Sequence, residues 1–79
     1  MITKYTISPS DLAHLENCFT YHAPKDDQPE RYVELRHQAK QLAMLIKSTT
    51  PVSREQSLAL TKLEEVSFWA NAAIARHEP

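Results

Sequence analysis

Glycine is absent from all 79 residues. Phosphate-cradling loops of the Walker and dinucleotide-binding kinds need glycine where the backbone approaches the phosphates, so both are excluded. Cysteine is nearly absent as well. Cys18 stands alone, and His14, His22, His37 and His77 form no ligand pattern with it. Neither a disulfide framework nor a structural metal is therefore expected to support the fold, and a single thiol suits a reducing compartment. No sign of charge dominates: nine basic and ten acidic residues give a net charge of −1. A general duplex-binding protein usually carries a basic excess, whereas a small phosphate-bearing ligand needs only two or three local cations. No run approaches the ~20 apolar residues of a membrane span, and MITKYTISPSD holds no apolar segment of a signal peptide. The expected setting is cytosolic.

What is present is helical. A chain of 79 residues allows one domain, residues 1–79, with a thin core; such chains bury only about 60% of their extended surface. Residues 1–7 read as extended or as a loose end. Ser8 or Ser10 can cap a short helix entered at Pro9 to Asp11, with Leu12, Leu15, Cys18 and Phe19 on one face. Thr20 to Gln28 is a loop, and Asp27 with Glu30 has capping-box spacing. A second helix is predicted from about Gln28 to Ser48, with an inward stripe of Tyr32, Leu35, Ala39, Leu42, Ala43 and Ile46. Pro51 breaks it, and Ser53 with Gln56 starts a third helix running to near His77. A link of four or five residues makes two long helices antiparallel neighbours. The expected fold is all-α: an N-terminal extension (1–20) with a short helix, then a long αα-hairpin (21–79).

The third helix carries a further message. Its first half is one-sided through Leu60, Leu63, Val66 or Ser67, Ala70 and Ile74. From Val66 to Ala75 it is apolar or small in every direction except at Ser67 and Asn71. A helix that is apolar all round is buried all round, and this chain is too short to wrap it. A homo-oligomer is the expected remedy.

Candidate chemistry is sparse. Glu64 and Glu65 point about 100° apart on a helix and make no acid–base pair. No nucleophile motif surrounds any serine or Cys18. Glu30, Glu34 and His37 have spacings found in di-metal bundles but too few inward carboxylates accompany them. No catalytic residue, metal or cofactor is expected. Binding is the better prospect: Arg36, Lys40 and Lys47 fall within about 40° of one another on an ideal helix, bordered by Tyr32. An aromatic beside a cationic row suits a ligand with bases and phosphates, although solvated helix faces look similar. Tyr21 and His22 lie in the loop, where Tyr21 either contacts ligand or packs over the hairpin as a lid. Trp69 and Phe68 read as interface. Asn71 needs a hydrogen-bond partner if buried, and pairing across a symmetric interface would give it one. Arg76 suits a helix C-terminus.

The runs YHAP (Tyr21–Pro24), ERY-x-x-LR (Glu30–Arg36), SLALTKLEE (Ser57–Glu65) and WANAAIAR (Trp69–Arg76) resemble the helical hairpin domain shared by phage anti-CBASS cyclic-nucleotide sponges and one type of anti-Thoeris sponge. The resemblance covers roughly Tyr21 to Arg76. It implies a non-enzymatic protein that sequesters cyclic oligonucleotide immune signals in the cytoplasm of the infected bacterial host. It also implies a homohexamer, with cyclic dinucleotides such as 3′,3′-cGAMP between paired subunits and, in some members, cyclic trinucleotides in separate pockets. Tyr21 and Arg36 stand at the separation of the family's stacking tyrosine and phosphate-binding lysine, with Arg in place of Lys; the guanidinium keeps the charge and adds a planar fork. Gln38 falls where a small polar contact residue lies; Lys40 of the cationic row and His22 of the loop join these as candidate ligand contacts. A register anchored on Thr61 puts the trinucleotide-site arginine at Ala72, one turn before Arg76, the cation this chain offers instead. Three rivals stay open: a sponge for a cyclic ADP-ribose signal, a small helical DNA-binding regulator, and a purely structural oligomerisation module.

Overall fold

The computed structural model describes residues 4–79. The reading of residues 1–7 as extended therefore falls partly outside the described residues. Three helices follow in order, α1 Pro9–Cys18, α2 Gln28–Thr49 and α3 Arg54–His77, and no strand occurs among the described residues.

Local chemistry explains each boundary. Ser8 accepts from the Asp11 N–H at 3.1 Å, with Pro9 in the first turn of α1, which satisfies one of the helix's orphan donors. Ser53 does the same for α3, accepting from the Gln56 N–H at 3.1 Å. Asp27 does not: it stands at the N-cap of α2 without a side-chain cap bond. Its carboxylate is instead 3.1 Å from the Arg31 guanidinium. At the other end of α2, Thr50 is extended ahead of Pro51, as the proline ring requires. Helix α2 ends without glycine, and hydroxyls take over. Ser48 and Thr49 donate to the Leu45 carbonyl at 3.1 and 2.6 Å, and Thr50 donates to Ile46 at 2.6 Å. These hydroxyls bond back to carbonyls of the final turns, and the Ile46 carbonyl also accepts from the Thr50 N–H at 3.1 Å. Asp26, at φ 51°, takes the one left-handed position among the described residues; aspartate tolerates it better than most side chains.

Helices α2 and α3 pack as a hairpin. From α2, the half-buried Tyr32, Leu35, Ala39, Ala43 and Ile46 face inward, while Leu42 of the expected stripe is exposed. From α3 the inward set is Leu60, Leu63, Ser67, Ala70 and Ile74, so Ser67 rather than Val66 turns toward α2. The only buried side chains among the described residues are polar. Gln28 (4% exposed) and Gln56 (5% exposed) sit at opposite ends of the hairpin. Gln56 Nε2 donates to the Thr50 carbonyl and hydroxyl, both at 3.1 Å, and closes the link. Gln28 Nε2 donates to the Glu78 carbonyl at 2.7 Å and closes the open end. Arg31 reinforces that end with a two-pronged grip on Glu78, Nη1 to Oε2 at 2.9 Å and Nη2 to Oε1 at 2.5 Å. This guanidinium holds the Glu78 carboxyl below its ordinary range, chiefly through those hydrogen bonds.

No apolar side chain among the described residues is fully buried. The radius of gyration is 17.6 Å, against about 12 Å for a compact chain of this length. Accessible surface totals 6675 Å², where a folded monomer of this mass exposes roughly 4,900 Å². Part of the excess is α1 and its C-cap, where Leu12, Leu15 and Phe19 are exposed rather than packed. The rest includes Val66 (62%), Phe68 (65%) and Trp69 (65%) on α3, the residues whose all-round apolar setting calls for a covering surface.

Candidate ligand-binding site

At the open end of the hairpin, three segments meet around a cavity of about 370 Å³. The loop contributes Tyr21, His22 and Pro24, α2 contributes Tyr32 and Arg36, and α3 contributes Asn71, Ala72 and Ala75. Tyr21, at 83% exposure, does not pack down as a lid; its ring is free to meet a ligand. Arg36 is exposed as well. It takes part in none of the ion pairs among the described residues.

The loop is held in place by polar bonds rather than by packing. His22 Nε2 lies 3.0 Å from the Asn17 carbonyl. A carbonyl only accepts, so Nε2 is the donor in this bond. Asn17 in turn donates from Nδ2 to the Arg76 carbonyl at 2.9 Å. The path from loop to α1 to the last turn of α3 thus ties the loop that carries Tyr21 to the end of the hairpin. Helix α1, whose apolar face buries little, does its work here through Asn17.

The six residues singled out from the sequence separate into three groups. Tyr21, His22 and Arg36 share the cavity. Lys40 lies with Arg36 on a longer groove of about 1110 Å³ that follows α2 and α3 toward the link, so Arg36 is the wall common to both hollows. Gln38 and Arg76 line neither. Gln38 is exposed and donates to Glu34 at 3.0 Å, while the Arg76 guanidinium lies 5.9 Å from the Trp69 ring centroid, a cation–π distance. Tyr32, which the sequence reading set on the inward stripe and as the aromatic beside the cationic row, lines the cavity too, and one polar cavity residue had no ligand role in that reading. Asn71 was set at an interface, and the signal for it was present: a lone carboxamide in an apolar run. Its Oδ1 is buried and has no hydrogen-bond partner.

For turnover the cavity offers little. Its lining holds no carboxylate, and the His22 Nε2–H is engaged. Among the described residues no group of three or more His, Cys, Asp or Glu side chains is placed to hold a metal. What the lining does offer is aromatic rings, one guanidinium and one unpaired amide oxygen: surfaces for stacking, anion pairing and hydrogen bonding.

An open helical hairpin with an aromatic–cationic hollow defines a small helical binding module. The Acb2/Tad1 hairpin domain matches residues 11–75, more than half of the chain, and the protein belongs to that family. Membership implies a sponge for cyclic-nucleotide signals. The match starts at Asp11, so most of α1 lies inside it. No curated protein and no solved structure matches the chain. No helix among the described residues is long and apolar enough to cross a membrane.

Proposed function

We propose that this protein binds cyclic dinucleotide immune signals without turning them over, and so removes them from solution in the cytoplasm of an infected bacterial host. The observation that carries this reading is the convergence of Tyr21 and Arg36 on one cavity of a hairpin whose family is that of the sponges. Tyr21 stacks on a base, and Arg36 pairs with a phosphate through its planar fork. His22 and Tyr32 complete the polar lining.

One cavity supplies one free ring and one free cation, whereas a cyclic dinucleotide carries two bases and two phosphates. Two protomers related by a twofold axis supply both sets, which is the isologous arrangement of a symmetric dimer. The surface excess of about 1,800 Å² over a compact monomer exceeds the roughly 800 Å² per partner of a standard interface. Val66, Phe68 and Trp69 are the apolar residues that such an interface would cover. The assembly proposed is a homo-oligomer, a hexamer; duplex nucleic acid and membrane are not partners on this reading. Lys40, Gln38 and Arg76 are proposed as outlying contacts, reached by a ligand larger than the cavity or by one shared between subunits.

The test is recovery of ligand. The protein is incubated with a panel of cyclic di- and trinucleotides and a cyclic ADP-ribose isomer, separated from free ligand, and denatured. Release of an intact cyclic dinucleotide supports the proposal. Linear products would show an enzyme, release of only the ADP-ribose isomer would move the ligand class, and no retention at all would refute the binding reading.

A further inference from the structure

We infer that Asn71 reads the edge of a ligand base, accepting a hydrogen bond from an N–H of that base through its Oδ1. The inference rests on the proposed binding of a cyclic dinucleotide in the open-end cavity and adds the residue that discriminates among bases there.

Three observations place it. First, Asn71 lines the same hollow as Tyr21 and Arg36, from the opposite helix. Second, its Oδ1 is buried yet accepts from nothing among the described residues. A buried acceptor without a donor is costly, and native structures retain few of them; a ligand donor that fills the role converts that cost into selectivity. Third, its neighbours on this wall are Ala72 and Ala75, whose methyl groups can neither donate nor accept. Asn71 is thus the one side chain of α3 in the cavity able to form a hydrogen bond.

The geometry of stacking assigns the partner. A base lying flat on the Tyr21 ring directs its hydrogen-bonding edge sideways, in its own plane, while its phosphate is drawn to Arg36. The wall left for the edge is α3. An oxygen acceptor there selects a base that presents an amino or imino N–H, such as adenine or guanine, over a purine stripped of it. Sites that hydrogen-bond a substrate group reject the analogue lacking it far better than apolar pockets do, because the site's own polar atom is then left unpaired.

The competing role for Asn71 is a carboxamide pairing across a subunit interface, and the experiment separates the two. Wild-type protein and Asn71→Ala are titrated calorimetrically with a cyclic dinucleotide of adenine, whose only base-edge donor is its exocyclic amino group, and with the matching analogue whose purines lack that group. Oligomer mass and melting temperature are measured on both proteins. The inference expects wild type to prefer the amino-bearing ligand by about tenfold, as one hydrogen bond supplies, and Asn71→Ala to lose that preference with its oligomer intact and its melting temperature unchanged or raised. Alanine suits a helix interior, so folding is not at risk. Preference retained by Asn71→Ala overturns the inference while leaving the function reading standing, and so does a change of oligomer mass or a clear drop in melting temperature. Failure of wild type to bind either ligand overturns both.

Discussion

Arg36→Ala is the most informative single perturbation of the proposed site. Arg36 is exposed and outside every ion pair among the described residues, so its removal leaves the hairpin contacts as they are, and surface changes of this kind shift stability by about 0.5 kcal/mol or less. Binding is another matter. A charge-assisted hydrogen bond contributes about 1.5–3 kcal/mol, and a twofold pocket holds two such cations per ligand. The substitution therefore removes about 3–6 kcal/mol per bound dinucleotide, or roughly a hundredfold to ten-thousandfold in Kd. Arg36→Lys keeps the charge and gives up the fork, so its loss is expected to be smaller, about tenfold. The assay is isothermal titration with 3′,3′-cGAMP at moderate salt, with oligomer mass checked by light scattering. An Arg36→Ala protein of unchanged mass and unchanged affinity would refute the assignment of Arg36 to the phosphate.

Gln56→Ala removes the Nε2 bonds to the Thr50 carbonyl and hydroxyl from a buried side chain; a loss of about 1–2 kcal/mol should lower the melting temperature by roughly 5–15 °C at fixed protomer concentration, read by circular dichroism. Glu78 has its carboxyl held low by Arg31, so its contribution is complete above the ordinary glutamate value of about 4.3 and is lost as pH falls through the lowered native value. Glu78→Gln should therefore melt below wild type at pH 7, with the gap closing as pH is taken below about 4; a gap that persists there would show that the ion pair is not its source. Trp69→Glu places a charge on the exposed apolar half of α3, and the proposed oligomer should dissociate to smaller species in sedimentation velocity.

Helix boundaries were legible because proline and serine mark them: Ser8–Pro9, Pro51 and Ser53 carry local rules of backbone geometry and capping. Two failures are physical rather than statistical. Asp27 and Glu30 have the spacing of a capping box, but Arg31 stands within reach and takes the carboxylate at 3.1 Å; a spacing pattern has no means of ranking a nearby cation against a backbone N–H. Leu12, Leu15 and Phe19 mark a face that the hairpin does not bury, because α1 is attached through the Asn17 carboxamide instead. The choice between Val66 and Ser67 could not be made from periodicity, since a helix apolar on all sides has two buried faces and only one of them meets α2. The family was legible from its strings, and its match to residues 11–75 bears that out. The latch formed by Gln28, Arg31 and Glu78 was not, because it joins residues some fifty positions apart, from the start of α2 to the C-cap of α3.

A sponge needs equilibrium affinity and nothing else, and that requirement suits a protomer with half a core. The loop carrying Tyr21 is held by single hydrogen bonds, His22 to Asn17 and Asn17 to Arg76, and regions of few apolar contacts open at low free-energy cost. A ligand that contacts Tyr21, Arg36 and Asn71 at once would tie the loop, α2 and α3 together, adding stability of RT ln(1 + [L]/Kd). Where the pocket is shared between protomers, the same ligand also draws two chains together over Phe68 and Trp69. On the proposed reading, assembly and capture are then one linked equilibrium: partner chains raise the population of binding-competent loops, and bound ligand raises the population of assembled chains. An enzyme would have to loosen that grip to release product. A protein that only withholds its ligand gains from every contact that tightens it.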